Sequence, residues 1–110
     1  MRPVTLGDLA AAARVLLAQP EGLRPAAMAA LIARADAADR LRLAEGRHHP
    51  LYGNGTLMAA ALAHPRADPP DPSGDDFLSC LALATEAVLA HARGAGKSPA
   101  KAYLGRETSP

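Results

Sequence analysis

The chain has no tryptophan, one phenylalanine, two tyrosines and a single cysteine, Cys80. One cysteine excludes an internal disulfide and a cysteine-based zinc site. Its neighbours Leu78, Leu81 and Leu83 read as the surroundings of an inert, buried thiol. So few aromatics leave little with which to stack nucleic-acid bases. An excess of charge of one sign is missing as well. Twelve Lys and Arg stand against 11 Asp and Glu, a net charge of +1, so the clustered basic footprint of a nucleic-acid-coating protein is absent. No apolar run approaches the roughly 20 residues of a membrane span. Asp8 and Arg14 interrupt the one near the start, which leaves no signal-like apolar core. The expectation is a soluble, cytoplasmic protein without a membrane or a specific nucleic acid as partner.

What is present points to helix. A length of 110 residues suits one domain, and 49% hydrophobic against 21% charged residues argues for a folded chain. Alanine, the best helix former, dominates the composition, while β-branched and aromatic residues are few and nowhere alternate with period two. The fold class expected is all-α, a compact bundle of three to four helices.

Thr5 with Asp8 three residues on is a variant of the capping box. Leu6, Leu9, Ala10, Ala13, Leu16 and Leu17 then recur at helical spacing, predicting a first helix over 6–18. Pro20 and Gly22 end it, and Pro25 opens a second, over 25–45, that stops at Gly46. Its inward stripe is Ala27, Met28, Leu31, Ala35, Ala38 and Leu41. Asp36 and Arg40, four apart, read as a surface pair, and Asp39 as solvated beside its arginines. Thr56 caps a short third helix, 57–63, apolar all round and so expected inside the bundle. Residues 64–74 read as a Pro- and Asp-rich surface loop. A fourth helix follows over 75–93, with Phe77, Leu81, Ala84 and Val88 on one face and Gly94 and Gly96 stopping it. Leu31, Leu57, Leu81 and Val88 are the expected core positions. The single helical domain is thus 1–93, and 94–110 reads as a disordered tail.

Functional residue types concentrate between Gly46 and Leu62, GRHHPLYGNGTLMAAAL. The amides of Gly53, Asn54 and Gly55, opening onto a helix start at Thr56, have the chemistry to cradle an anion. The segment nevertheless matches neither phosphate-loop pattern, since Met58 stands where a third glycine is needed and no Gly-Lys-Ser/Thr occurs. His48 and His49 are adjacent, so one helical face cannot hold both, and with His64 and His91 they form no zinc signature. No metal and no cofactor is expected. Asp75 and Asp76 suit the dipole of the fourth helix. No nucleophile elbow or Cys-His constellation is present, so catalytic residues are not expected. The linker of about nine residues before the third helix is too long for a helix-turn-helix. That helix also carries no Arg, Asn or Gln to read bases.

Together GRHHPLYGNGTLMAAAL, the opening MRPVTLGDLAAAARVLL and the later CLALATEAVLAHAR resemble a family of small uncharacterised helical proteins from alphaproteobacteria. The likeness spans residues 1–93. It implies a bacterial, cytoplasmic, compact helical domain and brings no activity, cofactor or catalytic residue with it. The function expected is therefore that of a non-enzymatic adaptor or regulator binding another protein. Its interaction loop would present Arg47, His48, His49, Leu51 and Tyr52, because Arg and Tyr are favoured at interface hot spots. The alternative is a binder of a small phosphate or carboxylate at Gly53, Asn54, Gly55 and Thr56. Self-association through spare apolar surface is compatible with the first reading.

Overall fold

The helical spacing of alanine and leucine resolves, in a computed structural model that describes residues 1–67 and 73–95, into four helices. They are α1 (Leu6–Leu17), α2 (Arg24–Glu45), α3 (Leu57–Leu62) and α4 (Asp75–Ala95). A 3-10 turn at Glu21–Leu23, read from the sequence only as a break, joins α1 to α2. Among the described residues there is no strand, and the fold is all-α. The expected end of α4 is corrected: Gly94 continues it to Ala95. The rest of the expected tail, and 68–72 of the 64–74 loop, lie outside the described residues.

Each boundary has a local cause. Thr5 Oγ1 accepts from the Asp8 amide at 3.2 Å, and the Asp8 carboxylate accepts from the Thr5 amide at 2.7 Å, a complete capping box. Gly46 ends α2 in the left-handed conformation, φ +70°, its amide donating to the Arg42 carbonyl. Thr56 Oγ1 accepts from the Ala59 amide and caps α3. Arg24, the first residue of α2, donates through Nε to the Leu16 and Gln19 carbonyls at 2.9 and 3.2 Å. Its Nη1 lies 3.0 Å from Asp76 in the first turn of α4, so one guanidinium closes α1 and ties together three helices.

α1 is the hub, packed on α4, α3 and α2. Ala12 and Ala13 are fully buried beside Leu16 and let the backbones approach. Met28 and Leu31 from α2, Leu57 from α3, and Cys80 and Ala84 from α4 complete the interior. Cys80 is buried as expected, and loss of hydration pushes its thiol above the ordinary value. Leu81 and Val88 are only partly buried against this core. α3 also departs from expectation. Leu57, Ala60 and Ala61 face inward, but Met58 and Leu62 are exposed, because a six-residue helix lying on α1 and α2 is covered on one side only.

Candidate functional site

The loop after α2 is shaped by its own backbone. The His49 amide donates to the Gly53 carbonyl at 2.8 Å and the Gly53 amide returns a bond to the His49 carbonyl at 3.1 Å. This antiparallel bridge leaves Pro50, Leu51 and Tyr52 at the tip. His49 Nδ1 accepts from the amides of Leu51 and Tyr52 at 3.0 and 3.1 Å, which assigns the proton of the neutral ring to Nε2. The imidazole stacks on the Tyr52 ring at 4.5 Å between centroids and 13° between planes. The Arg34 guanidinium of α2 stands 5.7 Å from the Tyr52 centroid, within cation–π range. Tyr52 is thereby fixed, while Leu51 beside it is 68% exposed. Arg47 and His48 are exposed, and Arg47 pairs with Glu45 at 2.9 Å. Of the five residues predicted for the interaction loop, His49, Leu51 and Tyr52 are joined by these contacts, and Arg47 and His48 precede them on the surface.

The Gly-Asn-Gly segment serves a different end. Gly53 and Gly55 hold φ of +85° and +92°. A Cβ at Gly53 would stand 2.6 Å from the Cβ of Ala59, and one at Gly55 would stand 2.9 Å from the Cα of Asp39. These glycines let the loop lie flat on α3 and α2. Asn54 Oδ1 accepts from the Thr56 amide and hydroxyl at 3.1 and 2.7 Å, and the Gly55 carbonyl accepts from the Arg2 amide at 2.8 Å. The start of α3 already faces an anion. Asp8, 4% exposed, uses Oδ2 for the Thr5 amide and hydroxyl and Oδ1 for the Met58 amide at 2.8 Å. Donors at Gly53, Thr56, Met58 and Ala59 are thus committed within the protein.

The outer face of α2 is not the solvated surface expected. Asp36 does not pair with Arg40. Its Oδ1 receives the Met1 amino group and its Oδ2 lies 3.1 Å from His91 Nε2 on α4. Asp39 is buried at 9% exposure, 2.7 Å from Arg42 and 3.2 Å from the Met1 amino group. The Arg42 guanidinium and that amino group hold its carboxyl below the ordinary value, against the opposing effect of burial. The N-terminal segment, crossing this face, leaves Asp36 half-buried and Asp39 buried. The histidines separate: His49 shapes the loop, His91 meets Asp36, and His64 meets the Arg34 Nη1 through its Nε2. Among the described residues, no group of three or more His, Cys, Asp or Glu side chains is placed to hold a metal ion.

Burial, and then the Arg34 charge, pushes His64 below its ordinary value of 6.5. The unfolded chain therefore takes up a proton before the folded one as pH falls. Stability from this group is complete above about pH 6.5 and declines as pH drops from there through the lowered folded value. Melting temperatures at pH 7.5 and 5.5 should fall less for His64→Gln than for the parent. Equal decrements would show that His64 does not carry this dependence.

No helix among the described residues is long and apolar enough to cross a membrane. No curated protein and no solved structure matches the chain. The family described as a domain of unknown function, DUF7742, matches residues 2–88, a span that takes in the capping box, the Gly-Asn-Gly loop and most of α4. The chain belongs to that uncharacterised family.

Proposed function

We propose that this protein is a non-enzymatic adaptor or regulator that binds another protein through the 47–52 loop. The observation that carries the reading is the tip itself. Tyr52 stacks on the His49 ring and lies within cation–π range of the Arg34 guanidinium, next to an exposed Leu51. An ordered loop loses little conformational freedom on binding, and an aromatic ring with adjacent arginine and leucine is the composition of an interface anchor. The alphaproteobacterial, cytoplasmic setting is proposed from the likeness of the opening and the His-Pro…Gly-Asn-Gly loop. A small-anion site at Gly53, Asn54, Gly55 and Thr56 is the weaker reading, since Asp8 and the neighbouring turns engage most of the donors it would use.

The test is an affinity capture from the native host, comparing the parent with an Arg47→Ala, Tyr52→Ala double variant. One stoichiometric protein partner should be retained by the parent and held at least tenfold more weakly by the variant, with helical circular dichroism unchanged. Equal retention by both would remove the loop as the interface.

A further inference from the structure

Away from the loop, the N-terminal segment, α2 and α4 enclose a cleft of about 480 Å³, within the size range of small-ligand pockets. Its walls are apolar, with Val4 on one side and Val88 on the other, and Arg2, Asp36, Arg40 and His91 reach it. A second cleft of about 490 Å³ continues along the seam between α2 and α4, past Ile32, and shares the Asp36–His91 pair with the first. The charges lining the first cleft do not cancel. Asp36 is satisfied within the protein, one oxygen on the Met1 amino group and the other on His91. Arg40 enters no ion pair among the described residues. Among the described residues the Arg2 guanidinium donates to the Asn54 carbonyl, at 3.5 Å. Arg2 and Arg40 thus both line the cleft, and neither guanidinium has a carboxylate partner among the described residues.

We infer that this cleft binds a small amphipathic carboxylate. Its carboxylate lies against Arg40 and Arg2, for which a planar two-oxygen anion is the matching shape. Its hydrocarbon body runs between Val4 and Val88 and over the Asp36–His91 pair toward the second cleft. An amine of the same length is disfavoured by the two guanidinium charges, and an alcohol gains the apolar contact without the ionic one.

Octanoate is the probe, titrated into the full chain and followed through the methyl NMR signals of Val4 and Val88, with octanol and octylamine as length-matched controls. Octanoate should give saturable shifts at both valines and bind at least tenfold more tightly than octanol. Arg40→Gln, a change at an exposed position that leaves the fold intact, should weaken octanoate several-fold without altering octanol. Arg2→Gln combined with Arg40→Gln should bring the two probes level. Failure of octanoate to saturate at millimolar concentration, shifts confined to other methyls, or equal binding of octanoate and octanol by the parent would each overturn the assignment.

Discussion

Replacing Asp8 with alanine should destabilise the fold by about 3 kcal/mol, given that hydrogen bonds to a charged group contribute roughly 1.5–3 kcal/mol each and a lost cap about 1 kcal/mol. Three donors converge on this one buried carboxylate: the Thr5 amide, the Thr5 hydroxyl and the Met58 amide. Two of them are amides at the starts of different helices, α1 and α3, where positive dipole ends favour a negative charge. Alanine leaves both amides without their carboxylate acceptor. Asp8→Asn should cost less, about 1–2 kcal/mol, because one oxygen remains while the amide nitrogen faces a donor. Urea unfolding of the two variants and the parent measures both differences. An Asp8→Ala loss below about 1 kcal/mol, the size of a single exposed cap, would mean that the bond to Met58 contributes nothing.

The second large effect is expected at Gly55. Alanine there combines a positive φ of +92° with a Cβ 2.9 Å from both the Cα and the Cβ of Asp39. Backbone strain of about 1–2 kcal/mol and forced separation of packed groups costing about 1–3 kcal/mol act together. Because the obstacle includes helix backbone, the loop must lift off α2, taking with it the Gly55 carbonyl that holds Arg2. Gly46→Ala provides the internal control. Its φ is also positive, +70°, but a Cβ there meets nothing within 4 Å, so about 1 kcal/mol is expected. Equal losses for the two variants, by thermal or urea unfolding, would show that the contact with Asp39 is relieved without cost.

The readable parts of this protein are those whose causes lie within a few residues. Thr5 and Asp8 announce α1, Gly46 ends α2 and Thr56 caps α3, since each acts on backbone groups one turn away. The long-range assignments were not readable. Pairing Asp36 with Arg40 follows a rule for exposed helix faces, and it fails because the chain start, 35 residues earlier, covers that face. Asp39 looks solvated among arginines, yet the loop backbone at Gly55 presses on it. An all-apolar α3 suggests an interior helix, but its brevity leaves Met58 and Leu62 uncovered. Composition alone marks the loop residues. That Tyr52 is clamped by His49 and Arg34 depends on a turn and a tertiary contact that composition does not encode.

The shortness of α3 also makes it dependent on the rest of the fold. A helix of six residues lies far below the roughly 12–15 needed for even marginal stability alone, and one of its opening amides is held by a carboxylate 50 residues earlier in the chain. Its stability therefore depends on α1 and α2 being in place, and closing the intervening loop carries an entropic cost. Gly53 and Gly55 rest on Ala59 and Asp39, so the turn bearing Leu51 and Tyr52 settles after both helices are in place. The turn that carries the proposed interaction is thus built on α2 and α3 and has its shape only where those two helices are packed together.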